Sequence, residues 1–281
     1  MTTLLTPPTL PLPADPEALA LPPPDEHDRW LEMRRTGLGG SDAAGALGLN
    51  RYSSPYKLFC EKLGLVPDFV GNERTRWGKR LEDVVATEAA RRLGADTVLA
   101  PTAMYRSKSW PWMLANPDRF LIFSDGSVAI LEVKTTDWRL ADQWDEREGE
   151  APVHHVLQLM HYLAVTGLDR GHLVCLVGGN DLRMVEVHRD DLLIAEMVDG
   201  EKALWDRICS GDAPPAAGHP GQAGVVIEMP GADVVGGDHR PSLLPPFPIG
   251  PKRSGRDVPS DIGRRRVGQR TASVERARAD V

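Results

Sequence analysis

Asn116-Pro117-Asp118-Arg119-Phe120-Leu121-Ile122-Phe123-Ser124-Asp125-Gly126-Ser127-Val128-Ala129-Ile130-Leu131-Glu132-Val133-Lys134 is the stretch that decides the fold. Two apolar runs flank Ser124-Asp125-Gly126-Ser127, whose composition favours a tight reversal, so the stretch reads as a β-hairpin. Side chains alternate along a strand. Ala129, Leu131 and Val133 therefore share a core face, and Ile130, Glu132 and Lys134 share the other. Two charges at the end of an apolar strand are costly unless they are paired, hydrated or bound to a metal. The hairpin folds Asp118 back to that same end, so two carboxylates converge beside an ammonium.

Hard oxygen donors of this kind suit Mg²⁺ or Mn²⁺, which keep several waters, polarise a phosphate and lower the pKa of a bound water. Lys134 supplies a point cation that orients an attacking water and stabilises charge on a phosphorane-like transition state. The plain alternative is a Glu–Lys pair on a strand edge.

Outward from the hairpin, Trp77 to Leu93 reads as a helix closed by Gly94, and 97–105 and 112–115 read as strands. Further upstream, Ser41-Asp42 opens a short helix, and Ser54-Pro55 is an N-cap and N1 pair for a helix that stops at Gly64. Downstream, 153–166 is helical up to Gly167, 172–177 and 184–188 are strands, and 189–209 is a last helix. Helices followed by a mainly antiparallel sheet, then helix and strand again, make an α/β chain with helices on a central mixed sheet.

Three further groups bear on the chemistry. Glu82 lies on the helix that starts near Trp77 and offers another carboxylate, or else is an exposed helical acid. Gln158 and Tyr162 are four apart, hence on one helix face, and either hydrogen-bond the water, the metal shell or a DNA backbone, or form a surface polar pair. Arg34 precedes Gly37-Leu38-Gly39-Gly40-Ser41, a glycine-rich turn running into a helix start. A guanidinium, a hydroxyl and backbone N–H groups there make a phosphate clamp, or simply an N-cap with flexible glycines. The spacing is not that of a Walker P-loop and its lysine is missing, so nucleotide hydrolysis is not indicated.

Within 281 residues there is room for one substantial core, and no apolar run approaches the roughly 18 residues of a membrane span. Residues 1–24 carry eight prolines and no basic start, unlike a secretory signal. A cytoplasmic protein without membrane partners is expected. Cys60, Cys175 and Cys209 have no close pair, which argues against a disulfide framework or a zinc or iron–sulfur site. The formal charge of −7 hides an uneven distribution: 28–92 holds twelve Lys/Arg against nine Asp/Glu, whereas 118–150 holds nine acidic residues against four basic ones. A basic approach surface beside an acidic, cation-attracting centre suits a metal-dependent phosphodiesterase, although ordinary solvated surface looks similar.

The expected organisation is a Pro-rich disordered leader at 1–27, a catalytic domain at 28–210, and a Gly/Pro-rich, then basic, disordered tail at 211–281. In the tail, 21 of 71 residues are Gly or Pro. From Lys252 onward it holds nine Arg/Lys, fit either to touch DNA backbone non-specifically or to be inert.

Taken in order, Trp30-Leu31-Glu32-Met33-Arg34 with Gly39-Gly40-Ser41, Trp77-Gly78-Lys79-Arg80-Leu81-Glu82, Pro117-Asp118, Glu132-Val133-Lys134 and Gln158-Leu159-Met160-His161-Tyr162 resemble the lambda exonuclease and YqaJ-like viral recombinase family. That family is a branch of the PD-(D/E)xK nuclease superfamily. The resemblance runs from Trp30 to about Gly167 and implies a restriction-endonuclease-like core. It implies a magnesium-dependent exonuclease that digests one strand of duplex DNA from the 5′ end. The 3′ overhang left behind serves a single-strand annealing partner in phage-type recombination in a bacterial host. A ring-shaped homo-oligomer, commonly a trimer, is implied as well. Carried over by position, Asp118 and Glu132 become metal ligands, with Mn²⁺ able to replace Mg²⁺, and Val133 lends its backbone carbonyl. Lys134 becomes the catalytic lysine, Glu82 an additional active-site acid and metal neighbour, and Gln158 the helix glutamine. Arg34 and Ser41 become binders of a 5′-phosphate, with Tyr162 beside them on the DNA backbone. The rivals are another PD-(D/E)xK nuclease, such as a RecB-like module or an endonuclease, and a non-catalytic DNA-binding protein on the same fold.

Overall fold

The computed structural model describes residues 10–23 and 25–216. Ahead of the hairpin the chain forms β1 (Glu17–Ala20), α1 (His27–Arg35), β2 (Leu38–Gly39), α2 (Gly40–Ala46), α3 (Pro55–Lys62), α4 (Glu73–Leu93), β3 (Thr97–Leu99), β4 (Ala103–Arg106) and β5 (Met113–Ala115). The hairpin is β6 (Arg119–Ile122) and β7 (Val128–Thr136). After it come a 3₁₀ turn (Trp138–Gln143), α5 (Val153–Thr166), β8 (Arg170–Val177), β9 (Asp181–His188) and α6 (Asp191–Ser210).

The reversal between β6 and β7 closes through Gly126, whose φ of 81° is open to glycine at no steric cost. The Asp125 side chain accepts the Ser127 N–H at 2.8 Å. Strand order in the main sheet is β3-β6-β7-β8-β9, antiparallel except for β7 and β8, which run parallel. A parallel neighbour needs a crossover, and α5 provides it. The fold is thus α/β, with a mixed sheet flanked by helices.

Both faces of β7 are packed. Leu131 and Val133 meet Val85, Ala86, Ala89 and Ala90 of α4, while Ile130 joins Leu157, Leu159 and Leu163 of α5 in the larger core. Burying each of these leucines fully contributes about 1.5–3 kcal/mol. The Glu132 face is therefore a second packed face, with its charges under α5, and not the strand-edge surface of the plain alternative.

Several expectations need correction. A second sheet, in the order β1-β4-β5-β2, stands beside the first. Its first strand lies inside the presumed leader: Glu17 to Ala20 pair antiparallel with Arg106 to Ala103, so the second half of the leader is ordered by sheet pairing. The single strand expected over 97–105 is two strands in different sheets, broken at Ala100-Pro101-Thr102, where the proline has no N–H for a ladder. Helix α4 starts a turn earlier than Trp77, because the side chains of Asn72 and Thr75 cap each other's backbone N–H at 3.1 and 2.8 Å. The tail expected over 211–281 lies outside the described residues from 217 on. Among the described residues, no helix is long and apolar enough to cross a membrane.

Candidate active site

Asp118 sits in the short link between β5 and β6, and its Oδ2 accepts the Val133 N–H at 2.8 Å. That bond locks the link to β7 where Glu132 and Lys134 project toward α5. The Lys134 ammonium donates to Glu132 Oε1 at 2.6 Å. Gln158, one of the few polar side chains on the buried face of α5, donates through Nε2 to the same oxygen and to the Tyr162 hydroxyl, the latter at 3.2 Å. Burial raises the pKa of Glu132, as does the Asp118 charge, against the pull of Lys134. Asp118 is raised by burial and by the charge of Glu82, opposed by Lys134 and the Val133 N–H. Burial works against the Lys134 cation, but Glu132 and Asp118 outweigh it and raise its pKa.

One cavity of about 120 Å³ joins this cluster to the glycine-rich turn. Asp118, Glu132, Gln158 and Tyr162 line it together with Arg34, Ser41 and Trp30. Arg34 donates through NH2 to Ser41 Oγ at 2.9 Å and to Asp42 Oδ1 at 3.3 Å, and its guanidinium lies 5.1 Å from the Trp30 ring centre. The backbone part of the expected clamp is partly used up: the Gly39 N–H is bonded to Asp42 Oδ2 at 2.9 Å. Gly40 lets α2 approach α5 closely, since a Cβ there would lie 2.5 Å from Tyr162 Cε1.

Asp118, Glu132, Lys134, Gln158, Tyr162, Arg34 and Ser41 are thus gathered in one place. Glu82 stands apart. It is buried beside the centre, close enough for its charge to act on Asp118. Its carboxylate, however, is held by Arg119 at 2.7 Å and Lys79 at 3.0 Å, and it does not line the cavity. Among the described residues no three His, Cys, Asp or Glu side chains converge as a ready metal cluster. The donor set nevertheless fits a hard cation. Glu132 Oε2 and Asn116 Oδ1 are buried oxygens without a hydrogen-bond partner at this cavity, and two carboxylates with a carbonyl and waters are enough for Mg²⁺. Asn116 escaped sequence reasoning, as did Asp42 and Lys62. The only signal for Asn116 was its place two residues before Asp118.

The YqaJ-like viral recombinase domain profile matches residues 29–169. The chain belongs to the YqaJ-like viral recombinase family. Among its relatives, uncharacterized protein YqaJ of Bacillus subtilis is 37% identical over 202 residues, which cover 70% of this chain and 61% of that protein. Protein D345L of African swine fever virus is 40% identical over 62 residues, 22% of this chain and 18% of the viral protein. This member of the YqaJ-like family therefore spans less than two thirds of these relatives. Its fold resembles the crystal structure of an alkaline exonuclease from Laribacter hongkongensis, with a TM-score of 0.53 at 17% identity, covering 66% of this chain and 93% of that one. The matched span 29–169 contains every residue of the cavity wall named above.

Proposed function

We propose that this YqaJ-like chain is a magnesium-dependent deoxyribonuclease that hydrolyses one strand of linear duplex DNA from its 5′ end and leaves a 3′ overhang. The observation that carries this reading is that one cavity is lined both by Asp118 and Glu132 and by Arg34 and Ser41. A carboxylate pair alone would suit any metal-dependent phosphodiesterase. A phosphate clamp in the same cavity suits an enzyme that starts at a chain end. The viral-recombinase family and the exonuclease fold neighbour support the same reading.

Mg²⁺ or Mn²⁺, held by Asp118, Glu132 and the Val133 carbonyl, would supply a polarised phosphate and a water of lowered pKa. The Val133 N–H fixes Asp118 Oδ2, so that this carboxylate cannot swing away from β7. Lys134, already aimed at Glu132 Oε1, brings a point cation to the charge that develops on the phosphate. Gln158 holds Glu132 from the other side and excludes bulk water with Tyr162. Arg34 and Ser41 take the terminal phosphate, with Tyr162 beside them in the cavity lining. Glu82 acts from a distance through its charge on Asp118.

The product overhang suits a single-strand annealing protein as partner, in phage-type recombination in the cytoplasm of a bacterial host. Leu65, Phe69 and Val70, exposed on the connection between α3 and α4, are apolar surface of the kind that a ring-shaped homo-oligomer, such as a trimer, covers. Linear duplex labelled at either end, with and without a 5′-phosphate, tests the activity in Mg²⁺ and in chelator. The expected result is 5′-label release that needs the metal and proceeds faster from phosphorylated ends. Cutting of covalently closed circles would point instead to an endonuclease, and full activity in chelator would sink the metal assignment.

A further inference from the structure

Behind the clamp, where α1, α2 and α3 meet, lies a buried ion pair that the chemistry at Asp118 and Glu132 does not use. Lys62 Nζ stands 2.7 Å from Asp42 Oδ2, with the lysine side chain 6% and the aspartate side chain 10% exposed. The same ammonium donates to the Arg34 backbone carbonyl at 2.9 Å, at the last turn of α1. The same carboxylate accepts from the Arg34 guanidinium at 3.3 Å and from the Gly39 N–H at 2.9 Å. Three ends of the clamp, the Arg34 backbone, the Arg34 side chain and the turn at Gly39, are therefore tied to one pair of opposite charges.

Compared with an apolar pair of the same size a buried ion pair adds little stability, because desolvation offsets most of its attraction, but losing one partner is costly and the pair fixes where its partners stand. The guanidinium spends its NH2 group on Asp42 and Ser41 and rests against Trp30. Among the described residues its Nε and NH1 make no protein hydrogen bond, which leaves two donor directions of a rigid fork for an anion. The charges of Arg34, Lys62 and Asp42 sum to one positive unit beside the cavity. Without Asp42, the guanidinium would lose the acceptor that sets its rotamer, and Lys62 would be left buried and alone.

We propose that Asp42 and Lys62 are positioning residues for end recognition: their buried pair holds the Arg34 fork and the Gly39–Ser41 turn in the form that accepts a terminal phosphate. They thereby set how strongly a 5′-phosphorylated end is preferred over a 5′-hydroxyl end. This inference rests on the end-directed reading given above. Both side chains are buried and neither lines the cavity, so their substitution alters the preference between ends and leaves general attraction to duplex in place.

The test measures binding of the full chain, in chelator so that nothing is cut, to two duplexes that differ only in the 5′-phosphate and carry a fluorophore at the opposite end. Anisotropy gives the ratio of the two affinities for wild type, Asp42→Asn, the neutral pair Asp42→Asn/Lys62→Met, and Lys62→Arg. Thermal melting confirms that each is folded. The neutral pair keeps the fold assayable even where the single variant strands a buried charge. Losing a charge-assisted hydrogen bond that orients the fork should cut the wild-type ratio by about tenfold in Asp42→Asn and in the neutral pair. Lys62→Arg, which keeps the positive partner of Asp42, should retain most of the wild-type ratio. A wild-type preference that survives intact in the neutral pair overturns the positioning role alone. A wild type that binds both ends equally overturns the end-directed reading, and this inference with it.

Discussion

Lys134 and Asp42 are the two residues whose surroundings make the sharpest demands. Lys134 shares a half-buried site with two carboxylates, and Glu132 is its hydrogen-bond partner. Lys134→Ala should leave duplex affinity in chelator within about threefold, since one interior cation adds little to backbone attraction. It should lower the cleavage rate by about 10²–10³-fold, the usual cost of removing one preorganised charge stabiliser. A time course on end-labelled duplex decides this, and undiminished cleavage would remove the lysine from the mechanism. Asp42 titrates at about 2 instead of 3.8: burial pushes it up, but Lys62, Arg34 and the Gly39 N–H together outweigh that. Its depressed pKa stabilises the folded chain above pH ~4, and that contribution is lost as pH falls toward 2, amounting to about 2 kcal/mol. Urea midpoints of wild type and Asp42→Asn should therefore differ at pH 5 and converge near pH 2. An unchanged gap would show that the carboxylate is not what the acid removes. Asp118, Glu132 and Lys134 were legible because strand alternation and a hairpin turn suffice to bring them together. Asp42 and Lys62 were not, because their meeting depends on how three helices pack, and no spacing along the chain encodes that.

Helices α2 and α5 show what a contact between elements contributes. The polar face of α5 carries Gln158 and Tyr162 to the cavity. A second face buries His161, which meets Glu201 of α6 at 2.9 Å and the Leu114 carbonyl at 3.1 Å. Gly40 on α2 presses on the first face. Gly40→Ala would place its methyl 2.5 Å from Tyr162 Cε1 and 2.8 Å from the Gln158 carbonyl, with backbone as one of the obstacles. The two helices must part, so the variant should lose about 1–3 kcal/mol of stability, read as a lower melting temperature. An unaltered melting temperature would mean that α2 floats on α5. Sequence reasoning placed α3, α5 and α6 well, because caps such as Ser54 and terminal glycines such as Gly167 are local signals. It missed β1 and joined β3 to β4, because an edge pairing such as Glu17 with Arg106 depends on residues some ninety positions apart.

Over the whole molecule, charge is the property that the fold rearranges most. The net charge of −7 would repel DNA if it were spread evenly. Charge is instead uneven along the chain, and the net-positive stretch 28–92 reaches the cavity through Arg34, which lines it beside Gly39, Gly40 and Ser41. Affinity for duplex should therefore fall steeply with salt, with a slope of several units of log K per log [salt] set by the number of phosphates neutralised. A fluorescence titration between about 50 and 200 mM salt measures it. A flat response would mean that the acidic surface governs the encounter. This distribution was readable from composition, whereas the partition of strands between two sheets was not.

Gly40 has one more consequence, and it concerns length. Because α2 meets α5 through a residue without a side chain, its backbone lies directly on the Tyr162 ring and the Gln158 carbonyl, and that close contact sets the gap between the Arg34 anchor and the carboxylates. On the proposed reading, the two halves of the cavity act as a ruler, and the size of the fragment released at each cut is its reading. Widening the gap at Gly40 should change that size before it changes the rate.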